Sequence, residues 1–195
     1  NGRIGIETRG SSSQESPKKN YGFKTRKEDD KTNNNVSLLG MPVENDWILG
    51  GMVFDTAFIR DYYCHNLYGK MGNYASRAVY CEVIINDNYV GLYILQEKLK
   101  ADDNRINVTK IGKNDNALPA LSGGYISKAD KTTGGDPVAW TMYSFQNSPV
   151  EYIHDLPKPE NATTEQTSYI SNLFFRLESA VQNNDVSVVN GYPSL

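Results

Sequence analysis

The clearest structural signal in the chain is SRAVYCEVIINDNYVGLYILQE, residues 76–97. Two runs rich in β-branched and aromatic residues flank the pair Asn86 and Asp87. Runs of this composition favour strands, and Asn and Asp tolerate the backbone conformation that a two-residue hairpin turn requires. The pattern therefore predicts a β-hairpin closed by a tight Asn-Asp turn.

Three shorter segments before this hairpin also predict extended structure. IGIET (residues 4–8) and YGFKT (residues 21–25) alternate apolar and polar residues with a period of two, which is typical of half-buried strands. The residues between them then form a hairpin loop. ENDWILGGMVFD (residues 44–55) predicts a short strand or a turn.

Two segments change to a helical period. After Asp55, which can cap a helix, apolar residues recur at steps of four up to Gly72 and predict an amphipathic helix. Near the C-terminus, Thr163 and Gln166 match a capping box. The apolar face of that second helix contains Ile170, Leu173, Phe174, Leu177 and Val181.

The remaining residues are read as connections. A short strand at 106–109, a strand within 122–131 and a possible strand at 141–145 interrupt them, and residues 132–163 predict a long irregular crossing. The fold class predicted from these elements is α+β, a mostly antiparallel sheet with a helix inserted between its strands.

Composition excludes some function classes. The 195 residues include 20 basic and 23 acidic side chains mixed along the chain, with a net charge of −3, which disfavours nucleic-acid binding. No apolar run approaches the roughly 18 to 20 residues that span a bilayer. Because the sequence starts without Met or a leader, we expect it to be a piece of a longer protein.

The predicted loop between the first two strands has the composition of a phosphate-binding turn. RGSSSQESPKKN (residues 9–20) offers consecutive backbone N–H groups and hydroxyls followed by two lysines. It lacks the Walker and dinucleotide-binding glycine motifs, and a flexible polar hairpin tip explains the same composition more simply. Glu97 could pair with a phosphate-binding lysine, although a position at the solvent-exposed rim of the sheet is the simpler prediction.

The order of these segments resembles the CotH (spore-coat protein H) kinase family. The resemblance runs from the RGSS loop and PKK, through SLLGMP, NDWIL and the IRD helix, to INDNYVGLYILQEKLKADDNRINV and GGYI. It covers residues 1–131 as a nucleotide-covering sheet and helix. Residues 132–195 resemble the variable crossing and helix that lead into the catalytic part of exported, Bacteroides-type members.

This resemblance implies an atypical protein-kinase-like fold at the cell envelope that binds ATP and Mg²⁺ and phosphorylates Ser or Thr of an unknown protein substrate. Glu97 would pair with a lysine by analogy with the lysine–glutamate pair of ordinary kinases. The nucleotide-binding residues implied by the motif are Arg9, Ser11, Ser12, Ser13, Lys18, Lys19 and Glu97.

Two departures from the family pattern limit the implied activity. The N-D-G and P-W-D-x-D segments that carry the family's catalytic carboxylates do not occur in the sequence, so we expect a fragment without catalytic residues or metal ligands. Glu15 also places a negative charge in the loop. The alternatives are a non-catalytic cell-surface adhesion or structural module on the same fold and, from the aromatic and Asn content alone, a carbohydrate-binding domain. Apolar surface around Phe174 and Leu177 predicts self-association of such a fragment.

Overall fold

A computed structural model describes residues 2–144 and 146–187 of the chain. It contains strands and helices in the order expected of an α+β protein, which confirms the predicted fold class. The chain forms two compact units, residues 1–106 and residues 107–195. The elements are β1 (Arg3–Arg9), β2 (Asn20–Arg26), β3 (Asp46–Gly50), α1 (Arg60–Lys70), β4 (Ala78–Ile85), β5 (Asn88–Glu97), β6 (Ile126–Ala129), β7 (Trp140–Tyr143), β8 (Pro149–Leu156) and α2 (Thr164–Gln182).

The first unit is built on a five-stranded antiparallel sheet with the order β1-β2-β3-β5-β4. The predicted hairpin is confirmed as β4 and β5, and its turn residues Asn86 and Asp87 have φ angles of 50° and 64°. α1 is inserted between β3 and β4. The core of the unit consists of Phe23, Met41, Trp47, Leu49, Tyr93 and Leu95.

β1 and β2 form the predicted hairpin, but the expected half-burial of β1 is wrong. All seven residues of β1 are exposed, including Ile6 at 47 %. Among the described strands β1 pairs only with β2 and forms an edge of the sheet, so the apolar residues of its alternating pattern have no surface to pack against. β2, with a strand on each side, does bury Phe23 and Thr25.

The first helix begins later than predicted and is not buried. Phe58 has a φ of 54°, a left-handed conformation that breaks the helical path, so α1 starts at Arg60. Asp55 still accepts hydrogen bonds from the backbone N–H groups of Ile59 (2.9 Å) and Arg60 (2.7 Å). The C-terminal end agrees with the prediction, since Gly72 follows with a φ of 89°. No residue of α1 is buried, so the predicted apolar face faces solvent along much of its length.

The second unit pairs a three-stranded antiparallel sheet, ordered β6-β8-β7, with α2. Both hydrogen bonds of the predicted capping box are present at the start of α2. On the helix face, Phe174 packs against Trp140 and Tyr152, with ring centroids 5.6 Å and 5.0 Å apart. Leu177 remains exposed.

Residues 132–163, predicted to be an irregular crossing, are more regular than predicted and contain β7 and β8. β8, the central strand of the second sheet, was not foreseen because Pro149 opens it and His154 and Asp155 interrupt its apolar pattern. Residues 106–109 do not form the predicted strand and contain only an isolated bridge at Ile106. The possible strand at 141–145 corresponds to β7, while Phe145 lies outside the described residues.

Candidate functional site

The loop between β1 and β2 is a compact turn. Arg9 pairs with Asn20 at its base, and residues Ser12–Glu15 form one 3-10 turn. The Gln14 backbone N–H donates to the Ser11 carbonyl (3.0 Å), and the Gln14 side-chain amide donates to the Gly10 carbonyl (2.5 Å). Gly10 has a φ of 105°, which a residue with a Cβ rarely adopts. The loop is therefore folded back on itself by its own hydrogen bonds.

The second half of the loop is fixed to the end of the sheet. The Tyr93 hydroxyl donates to the Lys19 carbonyl (3.0 Å), and the Asn20 side-chain oxygen accepts from the Gly51 N–H (2.6 Å). A Cβ at Gly51 would lie 3.1 Å from the Lys19 carbonyl oxygen, so a glycine allows the close approach of these two backbones. These contacts position the two predicted lysines next to β3 and β5.

The two lysine side chains hydrogen-bond to carbonyl oxygens. The Lys18 ammonium donates to the Leu92 carbonyl (2.5 Å) and lies 4.8 Å from the centroid of the Tyr93 ring. Burial lowers the pKa of the Lys18 ammonium. The Lys19 ammonium donates to the Gln14 carbonyl (2.5 Å). Within the described chain, neither ammonium is within ion-pair distance of a carboxylate, so both positive charges are uncompensated by direct pairing.

The other predicted residues of this loop lie beside the lysines in sequence and remain accessible. Arg9, Ser11 and Ser12 are exposed, and Ser13 is half-buried. Six of the seven predicted residues therefore lie together. Five are in the loop, and the sixth, Arg9, is the strand residue that leads into it. Their roles in nucleotide binding remain predictions.

Glu97, the seventh predicted residue, lies away from the loop. It is five residues beyond Leu92 on the same strand, a distance of about 17 Å. Its carboxylate is 1 % exposed and accepts from the backbone N–H of Arg77 (3.0 Å) and from the guanidinium of Arg77 (3.0 and 3.1 Å). The predicted solvent-exposed rim position is therefore wrong, and the partner of Glu97 is Arg77 instead of Lys18 or Lys19.

Two further side chains complete the surroundings of Glu97. The Ser76 hydroxyl donates to the Glu97 backbone carbonyl (3.0 Å), and the Tyr74 hydroxyl lies 3.5 Å from the Glu97 carboxylate. Burial, followed by the negative charge of Glu97, raises the pKa of Tyr74 to about 12. Tyr74 therefore keeps its proton at neutral pH and acts as a hydrogen-bond donor.

A second group of charges near this end of the sheet was missed by the sequence interpretation. Glu44 is buried and pairs with Lys100 (3.0 Å) and with Arg105, which also binds Asp102 (2.5 Å). Burial alone would raise the pKa of Glu44, but hydrogen bonds from the Asn45 N–H, Lys100 and Arg105 outweigh it and lower the pKa to about 2. Glu44 is far in sequence from Lys100 and Arg105, so no local pattern predicts this cluster.

The donor set of the loop suits phosphate oxygens better than a metal ion. Ammonium groups and hydroxyls bind phosphate, whereas Mg²⁺ takes oxygen ligands and the loop offers one carboxylate, Glu15. Among the residues described, no group of three or more His, Cys, Asp or Glu side chains is arranged to hold a metal ion. The described helices also include none that is long and apolar enough to cross a membrane.

Comparison with known proteins gives one finding. A protein-family model described as CotH kinase protein matches residues 6–193, which includes elements of both compact units. A search of curated proteins returned no significant match. The match extends the resemblance seen over residues 1–131 through the second sheet and α2.

Proposed function

The chain belongs to the CotH kinase family, and on this premise we propose that its first unit is a nucleotide-covering sheet whose 10–19 loop binds the phosphates of ATP. Family membership supports a kinase-like function in general. Binding of ATP with Mg²⁺, and transfer of phosphate to Ser or Thr of a protein at the cell envelope, are the more specific parts of the proposal.

One observation carries the proposal. Lys18 and Lys19 are held at the end of the sheet by backbone contacts, and their ammonium groups bond only to carbonyl oxygens in the described structure. A phosphate oxygen carries more negative charge than a carbonyl oxygen and makes a stronger, charge-assisted hydrogen bond to an ammonium. When a triphosphate binds, both lysines can therefore replace a carbonyl oxygen with a phosphate oxygen, which is the stronger hydrogen-bond acceptor.

The remaining loop groups would complete a phosphate site. The hydroxyls of Ser11 and Ser12 are exposed and can donate to phosphate oxygens. Bound ATP supplies the phosphoryl group, and kinases promote its transfer mainly by positioning the phosphates and neutralising their charge. In this chain the lysines would supply the neutralisation, while Glu15 opposes it and limits the affinity.

Isothermal titration calorimetry with Mg-ATP tests the proposal. The double variant Lys18→Ala, Lys19→Ala should bind Mg-ATP at least about tenfold more weakly, because two charge-assisted hydrogen bonds are lost. The double variant Lys110→Ala, Lys113→Ala removes the same charge from the second unit and should leave the affinity unchanged. Equal affinity of the loop variant and the natural protein, or an equal loss in both variants, contradicts the assignment.

The exposed edge of the sheet favours a second candidate, a non-catalytic adhesion or structural module. β1 presents an unpaired edge with exposed Ile4 and Ile6, and extended segments of other proteins bind such edges by adding a strand. The same calorimetric experiment separates the candidates, since this module requires no heat of Mg-ATP binding in the natural protein.

A further inference from the structure

A groove in the first unit lies apart from the 10–19 loop. It has a volume of about 570 Å³ and is bounded by the C-terminal half of α1, the segment that follows it, and Asn104 and Arg105. None of the loop residues lines it. A ligand bound there would therefore contact none of the residues of the 10–19 loop.

The lining of the groove has a single sign of charge. Of its thirteen residues, three are Lys or Arg and none is Asp or Glu, although the chain as a whole has a net charge of −3. Arg105 is itself buried between Glu44 and the more exposed Asp102, whereas Arg77 is more accessible than its acidic partner. At the pair of Arg77 and Glu97, the side chain of Arg77 is 45 % exposed and that of Glu97 is 1 % exposed.

Two of the cations have unused hydrogen-bonding capacity. Arg105 pairs through Nε and Nη2 with Asp102 and Glu44, but its buried Nη1 has no hydrogen-bond partner in the described structure. Arg105 lines the groove, and a buried N–H without an acceptor is costly, which favours an acceptor on this side chain. Lys70, in the last turn of α1, is exposed and forms no ion pair with a described residue.

Further polar residues complete the lining. Tyr74, His65, Asn66, Asn73 and Asn104 line the same opening. Guanidinium groups match the oxygens of phosphate in pairs, and an ammonium adds a compact positive charge. We propose that this groove binds an anionic ligand through a phosphate group, with Lys70, Arg77 and Arg105 as its cations.

Nuclear magnetic resonance titration of the ¹⁵N-labelled chain with inorganic phosphate tests this site. Backbone amides of residues 69–78 and 104–105 should shift and saturate with a Kd in the millimolar range, as expected for one small anion on a few charged donors. Shifts that rise linearly without saturation, or that spread over lysines throughout the chain, would overturn the proposal.

Variants locate the binding in the groove. Lys70→Ala should weaken phosphate binding about fivefold while preserving the fold, because Lys70 is exposed, and Lys70→Glu should abolish saturation. Lys113→Ala, a matched exposed lysine outside the groove, and the Lys18→Ala, Lys19→Ala double variant should bind as the natural chain does. Unchanged affinity in both Lys70 variants, or loss of the groove shifts in the loop variant, would refute the site.

Two further ligands identify the source of the phosphate. O-phospho-L-serine represents a phosphorylated side chain, and AMP represents a nucleotide. Tighter binding of one of them at residues 69–78 assigns the groove to that source, and both outcomes support the phosphate site. If neither ligand shifts these amides even when the ligand is present at high concentration, the proposal fails.

Discussion

The charged side chains at the two ends of the five-stranded sheet have different partners. At the loop end, formed by residues 10–19, the ammonium groups of Lys18 and Lys19 donate their hydrogen bonds to carbonyl oxygens and have no carboxylate partner in the described structure. At the paired end, which we define by Glu44, Arg77, Glu97 and Arg105, each cation meets a carboxylate that is buried. The charges at the paired end therefore stabilise the structure even though Arg77 and Arg105 also line the groove, whereas the lysines at the loop end have no carboxylate partner.

The largest effect on stability is expected when Arg77 is removed. Arg77→Ala should lower the free energy of unfolding by about 3 kcal/mol, because it leaves the buried carboxylate of Glu97 without its cation. Urea denaturation followed by the fluorescence of Trp47, in a Trp140→Phe background, measures the change in the first unit. Arg9→Ala removes an exposed arginine of the same sheet and should change stability by less than about 0.5 kcal/mol. Equal effects of the two variants would contradict a structural role of the paired end.

A smaller effect is expected at Glu44 and depends on pH. The pKa of Glu44 is lowered to about 2, so its contribution is complete above the pKa of about 4.5 that an unfolded glutamate has and is lost as pH falls towards 2. Glu44→Gln should therefore lower stability by about 2 kcal/mol at pH 7, after allowance for solvent around Lys100, and have little effect near pH 2. Urea midpoints measured between pH 7 and pH 2 test whether the contribution of Glu44 decreases as the pH falls. Glu15→Gln, at an exposed loop position, is the control and should change stability by less than about 0.5 kcal/mol at pH 7.

The smallest effect is expected in the loop itself. Gly10→Ala should lower stability by about 1 kcal/mol, because the φ of 105° at Gly10 disfavours a Cβ and the Cβ would meet the Ser13 hydroxyl. Gly69→Ala, inside α1 with open space around it, should instead raise stability by up to about 1 kcal/mol. Thermal unfolding by circular dichroism measures both. A stabilising effect of Gly10→Ala would show that the compact turn of the loop is not the structure in solution.

The extent to which the sequence predicted the molecule differs between local and distant features. The hairpin about Asn86 and Asp87 and the capping box at Thr163 were predictable because their signals lie within a few residues of each other. The loop between β1 and β2 was predictable for the same reason. The family resemblance was also readable, since it rests on motifs that follow one another along the chain.

Features that depend on contacts between distant residues were predicted poorly. The partner of Glu97 is a residue 20 positions earlier, Arg77, and the strand register brings the two together. The apolar period of α1 predicted a buried face, but exposed Leu67 and Tyr63 show that periodicity does not supply a surface to pack against. β8 was not predicted because its composition does not indicate a strand. It is extended because it pairs with β6 on one side and β7 on the other.

The α+β class, the β1–β2 and β4–β5 hairpins, the capping box of α2 and the family could be read from the sequence, because each follows from neighbouring residues or their order. Which charges are paired depends instead on the folded chain. The sheet register buries Glu97 against Arg77 and leaves Lys18 and Lys19 on carbonyl oxygens. Arg77, which follows α1, and Arg105, which follows β5, line one groove. The physical reason is that the energy of a charge depends on its burial and on its nearest opposite charge, and both are set by residues far away in the chain.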